Sequence, residues 1–189
     1  MKLEALPLSY FFLVVFAVSL AGQQAANDGL KLPAPESATR PNLSLEQRGD
    51  IFMARKMYRE AVDVYQKDTS NSSILANKIG IAYHQLTFLA QARRQYERAQ
   101  KLDAGYSEAI NNLGTVYYAQ RNYRKAISQY KKALKLNAAS ASIHSNLGTA
   151  YFARKKYQEA FTEYQTALSL DPEVFEHRNS HGVLLQERS

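Results

Sequence analysis

A glycine recurs at a fixed interval through most of this chain: Gly80, Gly114, Gly148 and Gly182 are each 34 residues apart, and Gly49 precedes Gly80 by 31. The neighbourhoods repeat with it, as in Asn111-Asn112-Leu113-Gly114-Thr115-Val116-Tyr117 and Ser145-Asn146-Leu147-Gly148-Thr149-Ala150-Tyr151. A chain with such a period stacks copies of one supersecondary unit instead of closing around a single core. An aromatic follows each glycine by three residues, at Phe52, Tyr83, Tyr117 and Tyr151. An alanine follows by twelve, at Ala61, Ala92, Ala126 and Ala160, and a tyrosine by sixteen, at Tyr65, Tyr96, Tyr130 and Tyr164. Nineteen residues on stand Asp68, Ala99, Ala133 and Ala167.

These offsets place one apolar stripe on each of two helices per unit, at i, i+3, i+4, i+7 spacing around the glycine and at i, i+4, i+7 spacing from the alanine. Glycine inside a helix costs roughly 1 kcal/mol against alanine, so its recurrence implies a close approach of two helices. The expected pairs are 43–55 with 58–70, 73–86 with 89–102, 107–120 with 123–136, and 141–154 with 157–170.

The period and these residues resemble the tetratricopeptide repeat (TPR), a helix-turn-helix unit of 34 residues in which each glycine above holds the eighth position. The resemblance covers about 42–172 and implies an all-α solenoid of antiparallel helix pairs, with units at about 42–72, 73–106, 107–140 and 141–174. The first unit departs from the pattern: it is three residues short, Arg48 replaces an apolar residue and Asp68 replaces alanine. The turns between paired helices, which usually carry glycine in this family, hold Lys56, Thr87, Arg121 and Lys155. Residues 173–189 begin a fifth unit and stop, as a capping helix or a truncated repeat.

Ahead of the repeats, Lys2 precedes an apolar run from Phe11 to Leu20 that ends at Ser19 and Ala21. A charged start, a short apolar core and a small-x-small end read as an export signal over 1–21. Its apolar core is about half the roughly 20 residues that a membrane helix requires, which favours cleavage over a retained anchor. Residues 22–41 carry Pro33, Pro35 and Pro41 without apolar periodicity and read as an extended, disordered tether. The expected location is therefore the bacterial envelope, periplasmic or secreted, or membrane-anchored if the segment is kept.

No catalytic constellation appears: there is no nucleophile elbow, no phosphate-binding glycine loop and no His-Glu-x-x-His pair. The chain contains no cysteine, which excludes disulfides, thiolate metal sites and thiol nucleophiles. His177 and His181 share a helix face but lack a definite third ligand, so no metal is expected, nor any cofactor or small-molecule substrate.

What the resemblance implies is partner binding, since in this family the first helix of each unit lines a concave groove that holds peptides or partner helices. Carried onto this chain, the groove positions are Asn77, Lys78, Asn111, Asn112, Thr115, Tyr118, Asn146, Thr149 and Phe152. The amides offer both donors and acceptors to a peptide backbone. The carboxylate clamp of chaperone-binding members is not reproduced, because Glu46 and Asp50 stand where it needs Lys and Asn. Charge supplies a second surface. Residues 89–156 contain 13 Lys or Arg against three acids, so the formal +7 of the whole chain is a +10 stretch on a faintly acidic remainder. Most of these bases, including Arg93, Arg94, Lys125, Lys131, Lys132 and Lys135, fall on second helices or inter-helix turns and suit an anionic envelope surface or an acidic protein. Nucleic acid also fits the charge but is disfavoured for an exported chain. The expectation is an adaptor or scaffold, with a membrane-anchored docking platform or the accessory module of a larger enzyme as alternatives.

Overall fold

A computed structural model of the chain describes residues 42–175. The stretches read above as an export signal and a tether, the residues beyond Phe175 and the His177/His181 pair lie outside the described residues. Within them are eight α-helices and no strand: α1 (Leu45–Ala54), α2 (Tyr58–Tyr65), α3 (Ser73–Gln85), α4 (Leu89–Leu102), α5 (Ser107–Ala119), α6 (Tyr123–Leu136), α7 (Ala141–Ala153) and α8 (Tyr157–Leu170).

Each helix packs on the next in sequence, and the pairs α1/α2, α3/α4, α5/α6 and α7/α8 have the most extensive contact. Among the first helices, α5 also touches both α3 and α7. They therefore line the inner side of the stack and leave the second helices outside. Side chains seal several helix starts. Ser44 Oγ accepts from the Gln47 amide while Gln47 Oε1 accepts from the Ser44 amide, a reciprocal capping box. Ser72 caps α3 in the same sense through the Leu75 amide.

The repeated glycine has the close-packing role that its recurrence implied. A Cβ on Gly80 or on Gly114 would lie 2.5 Å from a ring carbon of Tyr96 or Tyr130 respectively, and one on Gly49 would lie 2.1 Å from Tyr65. The tyrosine sixteen residues on thus occupies the space that a side chain at the glycine would need. Ala61, Ala92, Ala126 and Ala160 let the helix axes approach from the other side and are fully or almost fully buried, as are Ala99, Ala133 and Ala167.

The first unit corrects one expectation. Its second helix ends at Tyr65 rather than Ser70, so Asp68 lies beyond the helix and extends no stripe. The run Asp68-Thr69-Ser70-Asn71-Ser72 offers the backbone side-chain partners outside a helix, and Asp68 Oδ1 accepts from the Ser70 amide at 2.8 Å.

All four turns within pairs end the first helix alike. Lys56, Thr87, Arg121 and Lys155 have φ of 59, 62, 59 and 60°, the left-handed region that suits glycine. Around Arg121, its own amide donates to the Tyr118 carbonyl and the Asn122 amide to the Tyr117 carbonyl, a Schellman closure. The other three turns carry the equivalent bond pair.

Candidate groove and its neighbouring charges

Along the inner face, the groove amides are engaged with one another. Asn112 Nδ2 donates to Asn77 Oδ1 at 3.0 Å, and Asn146 Nδ2 donates to Asn111 Oδ1 at 2.9 Å. Asn111 Nδ2 reaches Asn112 Oδ1 at 3.3 Å, and Asn77 Nδ2 donates to the Tyr106 hydroxyl at 3.2 Å. One chain of amides thus runs from α7 through α5 to α3.

The same step joins the first two units with charges in place of amides. Lys78 Nζ lies 2.7 Å from Glu46 Oε1 and 2.7 Å from Asp50 Oδ2. The Tyr65 hydroxyl donates to Asp50 Oδ1 at 2.6 Å. Burial pushes the Asp50 carboxyl up, but the hydrogen bonds from Lys78 and Tyr65 and the Lys78 charge outweigh it and hold the group below the usual carboxylate range. Lys78 is pushed down by burial and raised, on balance, by its two carboxylates. At every junction, then, the sixth position of one unit donates to the fifth position of the unit before it.

This arrangement sorts the groove candidates. Asn77 is buried, at 4% exposure, and Lys78 is neutralised in its ion pairs. The Thr115 and Thr149 hydroxyls donate to carbonyls of their own helices, at Asn112 and Ser145. Asn111, Asn112 and Asn146 are partly buried and act as stitches between units. Aromatics carry the open surface. Phe152 is 42% exposed and meets Tyr157 edge-on with centroids 5.5 Å apart, while Tyr118 rests at a tilt on Tyr123 at 5.3 Å. His84, on the same inner side, has its pKa lowered by burial.

The ladder ends at Ser145, the fifth position of the fourth unit. Its Oγ is fully buried and has no hydrogen-bond partner among the described residues. Leaving a buried hydroxyl unmade costs about 1–3 kcal/mol, so Ser145→Ala is expected to raise the unfolding free energy by about 1 kcal/mol, read as a higher melting temperature by circular dichroism.

The six outward cations are unevenly engaged. Lys125 Nζ lies 5.5 Å from the Tyr117 ring centroid and Lys131 Nζ lies 5.8 Å from that of Tyr151, both at cation–π range. Arg93 Nε is 3.7 Å from Glu97, and Lys132 donates to Gln100 at 3.5 Å. Arg94 and Lys135 are exposed. His144 is part-buried between Glu163 Oε2 at 2.7 Å and the Ala138 carbonyl at 3.0 Å. Among the described residues no group of three or more His, Asp or Glu is placed to hold a metal ion, and no helix is long and apolar enough to cross a membrane.

Antiparallel helix pairs in register, stitched along an inner face that shows amides and aromatic rings, define a helical-repeat scaffold. The tetratricopeptide repeat family model matches residues 111–174, within the third and fourth units, and the fold of the described residues is that of a tetratricopeptide repeat solenoid. None of the curated proteins matches it by sequence. Among solved structures it is similar to MamA, at 24% identity and TM-score 0.62, over 68% of this chain and 77% of that one. It is also similar to YrrB, described as a TPR protein with an unusual peptide-binding site, at 20% identity and TM-score 0.60, over 68% of each chain. At these identities the likeness is one of fold.

Proposed function

We propose that this protein is an adaptor that holds a peptide or a partner helix in the concave groove, exported to the bacterial envelope by its first 21 residues. The observation that carries the groove reading is Phe152, a phenylalanine 42% exposed on the inner face and braced by Tyr157. A braced aromatic beside partly buried amides is the combination from which peptide-binding hot spots are built. The YrrB description supports a peptide as the occupant. The charged start and short apolar run of 1–21 support export, and a mature amino terminus near Gly22 by mass spectrometry is the expected result.

The inter-unit stitches decide how to test the groove. Replacing Asn112 or Asn146 would loosen the stack and confuse instability with lost contact, whereas Phe152→Ala removes exposed ring surface. Partner capture from an envelope extract, followed by mass spectrometry, is expected to fall at least tenfold in Phe152→Ala at unchanged helicity. Capture equal to wild type would overturn the groove assignment.

A further inference from the structure

Cations also stand on the turns between paired helices. Arg121, Arg124 and Arg154, from the turns of the third and fourth units and the start of α6, line a single cleft together with Gln120, Asn122 and Tyr123. All three arginines are exposed, and among the described residues none has a carboxylate within ion-pair distance. Lys155 extends the same edge, also without an acidic partner. The outer-face cations contrast with this, since several are already turned onto rings or side-chain acceptors.

A second observation comes from the backbone. The left-handed turn position is filled by a cation in three of four units, Lys56, Arg121 and Lys155, at φ near 60°. Glycine would adopt that conformation without strain, and a strained non-glycine residue held in one recurring place is a mark of use. We infer that the turn edge of the third and fourth units is a binding surface, separate from the groove, for an acidic peptide segment whose clustered Asp or Glu side chains enter the Arg121/Arg124/Arg154 cleft. Planar guanidinium forks match carboxylates two bonds at a time, which a lysine ammonium does not. Three of them around one shallow, open depression can be met by successive carboxylates of a single chain; lipid headgroups offer the same charge, and vesicles distinguish that source. Tyr123, at the cleft wall, offers a ring to an apolar neighbour of the acidic run.

The test uses the full mature chain and a fluorescein-labelled 12-residue peptide containing Glu-Asp-Glu-Glu and one Phe, read by anisotropy, with its Gln/Asn counterpart and phosphatidylglycerol vesicles as comparison ligands. The expected result is that Arg121→Gly with Arg124→Gln and Arg154→Gln weakens peptide binding at least tenfold. Arg94→Gln with Lys132→Gln and Lys135→Gln, which removes the same charge from the outer face, should weaken it less than twofold. Arg124→Gln with Arg154→Gln alone, which leaves the turn backbone untouched, should show an intermediate loss. Binding should also weaken with added salt. Equal losses from the two triple variants, no loss from the turn variants, no preference over the Gln/Asn peptide, or vesicle binding without peptide binding would each overturn the inference. Phe152→Ala, which tests the groove, should leave this binding within twofold, so the two readings fail separately.

Discussion

Gly114→Ala is expected to lower the unfolding free energy by about 2 kcal/mol, although alanine is the better helix former by roughly 1 kcal/mol. The added methyl would lie 2.5 Å from Cε1 and 2.7 Å from Cδ1 of Tyr130, a ring that is itself 2% exposed and held by Ala126, Ala133 and the α7 residues around it. Overpacking of such a site costs about 1–3 kcal/mol because the ring must leave its rotamer or the helices must part. In a stack where each unit contacts only its neighbours, the effect should be local. Amide hydrogen exchange is therefore expected to quicken in α5 and α6 more than in α1 and α2. A second substitution, Tyr130→Leu, should recover part of the loss in the Gly114→Ala background while destabilising the wild type, since it removes the ring that the methyl strikes. An unchanged melting temperature for Gly114→Ala would show that the ring shifts freely and that glycine's recurrence has another cause.

That glycine-to-tyrosine contact could be read from the sequence because both partners belong to the period. A residue that must be small at the same place in every copy identifies its own neighbour once the second stripe is aligned. Helix bounds followed for the same reason, and α4, α6 and α8 run over 89–102, 123–136 and 157–170 as expected. The short α2 escaped because alignment carries the period onward even where the local chemistry stops it, and Asp68 through Ser72 is a turn-forming run.

The amide ladder is harder to read. Its bonds join residues 35 apart, one more than the period, so the partners sit at different positions of the repeat. Single-position comparison shows asparagines facing a groove; only reading the fifth position against the sixth of the next unit shows Glu46 with Lys78, Asn77 with Asn112 and Asn111 with Asn146. Complementary pairs at three successive junctions were the available signal. Part of the amide set expected to meet a ligand is thereby committed to holding the stack, and the aromatic pair Phe152/Tyr157 carries more of the open surface. The cleft arginines were missed for a related reason. Charge was read onto second helices and inter-helix turns alike, but Arg121 and Arg154 belong to turns of different units, and only stacking shows that they share one depression.

Those turns also yield the largest expected gain in stability. Replacing Lys56, Thr87, Arg121 and Lys155 together by glycine is expected to raise the unfolding free energy by about 2–4 kcal/mol and the melting temperature with it. A non-glycine residue in the left-handed region costs about 1–2 kcal/mol, and glycine returns roughly 0.5–1 kcal/mol of that through the greater freedom it gives the unfolded chain. The net is about 0.5–1 kcal/mol per turn, summed over four turns whose backbone closures are each made within their own helix pair. Thr87, with φ 62° and a β-branched side chain, should contribute most. The closure itself should survive, because both bonds of each Schellman motif are made by the backbone. Melting followed by circular dichroism on the four single variants and the quadruple variant separates the contributions; a gain confined to Thr87→Gly would mean that the long cationic side chains bear the strain at little cost. If the quadruple variant is more stable and also loses the acidic peptide, the cations at these turns are held in an unfavourable backbone conformation for what they bind rather than for what they hold together.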